Sequence, residues 1–171
     1  MSASRHVTYL RALGPLFVVA LACPALTACG SDLGPSAARY GLCGNAGGVD
    51  RLVVERMNLL PQNHPRFTFP AKITVSDPVK ARSVAHAVCA LPPMPRGPMS
   101  CGADMGITYR LGFAAGARKL PPVRADVGGC TGVSGIGQTR WTARSPGFWR
   151  ALGAAMGIAQ PSQPTFSGTT S

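Results

Sequence analysis

The sequence predicts an α+β fold: a two-layer sandwich in which an antiparallel sheet of four to five strands carries two helices on one face, stapled by disulfides. Three observations lead there. Apolar and polar residues alternate strictly over three separate stretches, the period of a half-buried strand. Two other stretches open on a capping residue followed by proline and continue at helical spacing. Four cysteines, an even number, lie within the region these elements span. A chain of 171 residues is long enough for one ordinary domain and too short for two. With 46% hydrophobic and 13% charged residues, 21 Gly and 16 Pro, it is rich in turns. That composition excludes a coiled coil, a collagen-like rod and an acidic solvating tail.

The first strand is Val49–Met57. The second is the alternation of Phe67, Phe69, Ala71, Ile73 and Val75 against Thr68, Pro70, Lys72 and Thr74. Pro70 has no N–H to give a ladder, so this strand belongs at an edge or carries a bulge. Asp77-Pro78 then caps a helix whose apolar residues Ala81, Val84, Ala85 and Val88 share one side, and Pro92-Pro93 stops it. Ile107, Tyr109, Leu111 and Phe113 form one face of a third strand, and Val123, Ala125 and Val127 one face of a fourth. Ala114–Lys119 is the turn between them. A fifth, weaker strand surrounds Trp141, within 137–143, and the glycine-rich run Gly132–Gly137 reads as a turn. Ser145-Pro146 starts the second helix, with Phe148, Leu152, Ala155 and Met156 on one side and Gly157 near its end.

The hairpin bears on the cysteines. Residues whose numbers sum to about 233 face each other across it, which brings Cys101 and Cys130 near its open end. Cys101–Cys130 is therefore the favoured bridge, leaving Cys43 to join Cys89; Cys89–Cys101, only 12 residues apart, is the alternative. The gaps of 46, 12 and 29 residues contain no Cys-x-x-Cys and no His pair, so disulfides are expected and a metal is not. Nor does any cofactor motif appear.

Ahead of this region, Arg5 and Arg11 precede the apolar run Ala12–Leu26. That run is broken by Pro15 and Pro24 and falls short of the ~20 apolar residues that span a bilayer, so residues 1–28 read as a secretory signal. Leu26-Thr27-Ala28-Cys29 follows it directly. These four residues resemble a bacterial lipobox. The resemblance implies cleavage by signal peptidase II between Ala28 and Cys29, and a diacylglycerol on the Cys29 sulfur. Residues 29–48 become the lipidated cysteine and a flexible tether, 49–158 the folded domain and 159–171 a disordered tail. The expected location is the outer face of the cytoplasmic membrane. The scarcity of Lys (Lys72, Lys80, Lys119) beside abundant Arg, Ala, Gly and Pro resembles proteins of GC-rich, actinobacterial genomes. Arg51–Gly157, with Cys89-Ala-Leu-Pro-Pro-Met-Pro, Tyr109-Arg-Leu-Gly-Phe113 and Phe148-Trp149, looks like small exported actinobacterial proteins, a likeness that supplies no activity.

The formal net charge is +11, and losing the signal removes Arg5 and Arg11 but no acid, leaving +9. Such a charge suits anionic lipid headgroups or wall polymers. The arginines are scattered singly with no basic run and no nucleic-acid-binding signature, so specific nucleic-acid binding is not expected. His64 and His86 are isolated, and the six acids Asp32, Asp50, Glu55, Asp77, Asp104 and Asp126 are widely spaced. Ser134 lacks the glycine two positions on that a nucleophile elbow needs, and no Gly-Lys-Ser/Thr follows it. A non-enzymatic, lipid-anchored envelope protein is the expectation. The alternative is a serine protease inhibitor presenting the four-proline segment 90–100, with Met94 or Arg96 entering the specificity pocket of a secreted protease.

Overall fold

The computed structural model describes residues 41–168. The signal segment and the lipobox, Ala28 and Cys29 included, lie outside them.

An antiparallel sheet with helices on one face forms as expected, but it has seven strands rather than four or five. The strands are β1 (Arg51–Asn58), β2 (Lys72–Val75), β3 (Ile107–Ala115), β4 (Arg118–Lys119), β5 (Val123–Asp126), β6 (Gly132–Ser134) and β7 (Arg140–Trp141). Their order is β2-β1-β3-β5-β6-β7, with the two-residue β4 pairing only with β3. The helices are α1 (Pro78–Cys89), α2 (Pro146–Met156) and a short α3 (Gln163–Ser167). Both β2 and β3 run antiparallel to β1, so α1 must cross over β1 to connect them.

The alternations dictate this arrangement. Leu52 and Val54 of β1, Ile107, Tyr109, Leu111 and Phe113 of β3, and Val123 and Ala125 of β5 all turn to one face and are buried there. On α1 the residues facing them are Ala81, Val84, Ala85 and Val88, also buried. Asp77 caps that helix: its carboxylate accepts from the N–H groups of Val79 at 2.9 Å and Lys80 at 3.3 Å. α2 adds Phe148, Trp149 and Leu152, and ends at Gly157 in the left-handed conformation (φ 76°) that glycine adopts without strain. Ser145 occupies the N-cap of α2 by position, yet its hydroxyl makes no capping bond.

Several expectations are corrected. The second strand shortens to Lys72–Val75, because Phe67 and Phe69 leave the ladder to stack edge-on (5.6 Å between centroids) beneath Arg56, whose guanidinium lies 3.5 Å from the Phe67 ring. β2 is the sheet edge that Pro70 implied. Gly132–Ser134 is a strand, not a turn, since Arg124 and Ala125 pair with Ser134 and Val133. The hairpin register sums to 233 at its tip (Ala114 with Lys119) and 234 farther down (Tyr109 with Ala125), one extra residue being absorbed around Pro121-Pro122. The segment 41–48 is folded rather than tether, with Leu42 and Ala46 buried. The disordered tail is likewise overturned over 163–167: α3 buries Phe166 completely. Both favoured disulfides are present, Cys43–Cys89 with Cα atoms 5.5 Å apart and Cys101–Cys130 with 4.8 Å.

Tyr109 ties α3 to the sheet. Its hydroxyl, buried with the rest of the side chain, donates to the Phe166 carbonyl at 2.9 Å. Burial pushes the phenol well above its ordinary range, and the nearby Arg56 guanidinium offsets only part of that. An unfolded tyrosine loses its proton near pH 10, so above that pH unfolding releases a proton that the native state retains. Stability is thus indifferent to this group below about pH 10 and falls as the pH rises beyond it. In an alkaline titration followed at 295 nm, the Tyr109 phenolate should appear only together with loss of the near-ultraviolet circular dichroism. A reversible titration near pH 10 with that signal intact would contradict the burial.

Candidate functional site

With one face of the sheet under helices, the other meets solvent, and the register places its side chains in rows. One row crosses five strands: Lys72, Glu55, Arg110, Arg124 and Ser134. The next contains Thr74, Val53 and Gly112, and a third joins Arg51, Ala114 and Lys119. Five cations therefore share this face with two carboxylates, Glu55 and Asp126.

Only one of those charges is matched at close range. Arg124 Nε lies 2.9 Å from Asp126 Oδ1, the one ion pair among the described residues. Thr108 completes that patch, donating through Oγ1 to Asp126 at 2.8 Å and accepting from Arg124 Nη2 at 3.2 Å. Arg110 stands directly opposite Arg124 across β3 and β5, a like-charge pairing that disfavours the sheet itself. Arg110, Lys72 and Lys119 are exposed and make no ion pair among the described residues, although Glu55 stands opposite both Arg110 and Lys72. A fold that keeps five cations to two carboxylates in register on an open sheet carries a field suited to anions.

Toward the hairpin end of this face is a hollow of about 630 Å³, lined by Arg51, Val53, Glu55, Arg110, Gly112 and Lys119 among others. Gly112 leaves part of it open. A β-carbon there would meet only Val53, at 3.8–3.9 Å, so space stays open above the backbone where other strand residues carry side chains. The rim is held in place. Asp50 Oδ2 accepts from the Gly116 N–H at 2.7 Å, Arg51 Nη2 donates to the Gly116 carbonyl at 3.4 Å, and Arg118 donates to the Asn45 side chain. The tip of the β3–β4 hairpin is thereby latched to the start of β1.

The residues singled out from the sequence fare differently. Met94 is half-buried: its N–H donates to the Thr139 carbonyl at 3.0 Å, and its Cε lies 3.2 Å from where a β-carbon on Gly132 would sit. Pro93 bridges to Arg140, so residues 92–94 cover the β7 edge. Arg96 is exposed. His64 ends a 3₁₀ turn (Pro61–Asn63) in left-handed backbone and His86 lies on the outer side of α1, both exposed. Asp104 accepts from the Gly106 N–H at 2.8 Å, and Asp77 is committed to its cap. Among the described residues, no group of three or more His, Cys, Asp or Glu could hold a metal ion. The cationic rows were missed by the sequence reading, although the polar halves of its own alternations contained Arg110, Lys72 and Arg124. What it lacked was the register that sets Arg110 opposite Arg124 and brings the tip residue Lys119 into one row with Arg51. Comparison of the chain with protein-family models, curated proteins and solved structures gave no match.

Proposed function

We propose that the protein is an envelope lipoprotein, anchored through a diacylglycerol on Cys29 at the outer face of the cytoplasmic membrane, whose folded part is a binding module for anionic envelope components. The observation that carries the binding half is the excess of cations on this face: Arg110, exposed between Glu55 and a second arginine and in no ion pair among the described residues, shares it with Lys72, Lys119 and Arg51. Charge of one sign on an open face raises the local concentration of a polyanion and binds it in a salt-dependent way. The anchoring half rests on Leu26-Thr27-Ala28-Cys29 directly after an apolar run. Each buried methylene of an acyl chain contributes about 0.8 kcal/mol, so two chains hold a protein where one does not.

Labelling cells with a radioactive fatty acid tests the anchor. The wild type should incorporate label and remain with the membranes, and Cys29→Ala should take up none. A native amino terminus with a bare, unmodified thiol would end the lipoprotein reading. For the face, retention on immobilised dextran sulfate should fall with rising salt, and Arg110→Ala/Lys119→Ala should elute earlier. Equal elution of that variant would move binding elsewhere. The inhibitor reading narrows to Arg96, exposed between the Met94 tie and the Cys101–Cys130 bridge; a trypsin-like protease that cleaves its substrate unslowed in the protein's presence removes it.

A further inference from the structure

We infer that the Gly112 hollow is a site for a single-chain amphiphilic anion, its apolar body resting on Val53, Gly112 and Leu120 and its acidic head held by Arg110, Arg51 or Lys119. This deepens the reading of the sheet face as an anion-binding surface and rests on it.

Charge alone does not explain the hollow. A polyanion needs only cations at a surface, and a strand of ordinary side chains across β3 would present them as well. Here the central position of the outward row is a glycine, in a strand where glycine costs stability. The backbone conformation does not require it, since Gly112 is not among the residues with positive φ. Packing does not require it either, because a β-carbon would find ordinary van der Waals distances to Val53 and nothing closer. What the glycine does is leave its part of the hollow unfilled; the hollow as a whole is about 630 Å³, within the 300–1,000 Å³ usual for small-molecule sites. The lining divides by chemistry: Val53, Ala114, Leu120 and Pro122 supply apolar surface, while Arg51, Arg110 and Lys119 supply charge. Glu55 is the one acid in the lining, and it has Lys72 opposite it on β2 and Arg110 opposite it on β3. An apolar surface bordered by three cations and a single carboxylate complements a molecule with an aliphatic body and a carboxylate or phosphate at its end.

Isothermal titration of the full chain carrying Cys29→Ser, which cannot be acylated, tests this with decyl phosphate below its micellar concentration. Decyl phosphate should bind at least about tenfold more tightly than inorganic phosphate, the effect of roughly two methylenes leaving water. Decyltrimethylammonium, with the same tail and the opposite charge, should show no saturable binding. Gly112→Leu, which fills the hollow, should weaken decyl phosphate about tenfold while leaving retention on dextran sulfate unchanged. Ala114→Leu serves the same purpose should Gly112→Leu fail to fold. Equal affinity for decyl phosphate and inorganic phosphate overturns the inference, as does unchanged affinity in a folded, filled variant. In either case, retained salt-dependent binding to dextran sulfate shows that the hollow proposal alone has failed. Loss of both bindings in the wild type removes the anionic-face reading as well.

Discussion

Phe166→Ala should destabilise the protein by about 3–5 kcal/mol and free the C-terminal segment, the range for truncating a buried aromatic in a core. The ring is fully buried and touches three others: Trp149 at 5.0 Å between centroids, Tyr109 at 5.4 Å in an edge-on approach, and Phe69 at 5.9 Å. Such pairs add to the burial of area itself. The backbone around it is equally committed. The Phe166 carbonyl accepts from Tyr109, the Gln163 side chain donates to the Val127 carbonyl at 3.0 Å, and Ser162 and Thr165 form a capping box at the head of α3. Two glycines clear the path: a β-carbon on Gly153 of α2 would collide with the Pro161 ring, and one on Gly168 would lie 2.6 Å from the Phe67 ring. Removing the Phe166 ring leaves Tyr109 and Trp149 lining a cavity and deprives a five-residue helix of its only buried side chain. Denaturant unfolding reads the energy, and limited proteolysis reads the release as new cleavage after Met156. Phe166→Leu, which keeps most of the volume, should cost much less. A loss below 1 kcal/mol with unchanged proteolysis would show that the segment is not part of the core.

That segment is also where sequence reasoning failed, for a physical reason. Residues 159–171 contain one large apolar side chain among Pro, Gln, Ser and Thr. No periodicity exists in five helical residues, and an isolated helix of that length does not persist in water. Its structure comes from the pocket that receives Phe166, and that pocket is built from β3, α2 and the 67–69 stretch, all distant in sequence. Where local signals were redundant, the reading succeeded. Asp77-Pro78, the spacing of Ala81, Val84, Ala85 and Val88, and Pro92-Pro93 all specified one helix. The alternation from Ile107 to Phe113 needed only a turn at Gly116 to meet Val123–Val127. The candidate site falls between these cases. Its charges stand in the polar half of each alternation, so their facing solvent was legible. Their assembly was not, because it depends on register: a slip of one residue between β1 and β3 would put Arg51 and Lys72 on the face opposite Arg110, Arg124 and Lys119.

Replacing Cys43 and Cys89 by serine should cost about 4 kcal/mol, the loop-closure value for residues 46 apart. The bridge encloses β1, β2 and α1, joining the turn that precedes β1 to the last residue of α1. Without it the unfolded chain regains the freedom of that whole loop, and the native chain loses its tie on residues 41–48. Leu42 and Ala46, both buried in the core, lie in a segment tied by this bond, a short turn and the Arg118–Asn45 hydrogen bond. Amide exchange in 41–49 should therefore accelerate more than exchange in β3 and β5, whose hydrogen bonds do not depend on the bridge. The Cys101–Cys130 pair, 29 apart, closes a smaller loop and should cost slightly less on the same model. If the double serine variant loses less than about 1 kcal/mol, loop closure is not what the bond supplies. If it behaves as expected, chemical reduction of the wild type, which opens Cys101–Cys130 as well, should cost more than the double serine variant does. The fold would then be secure only in an oxidising compartment, which is the condition outside the cytosol and the one the proposed anchor requires.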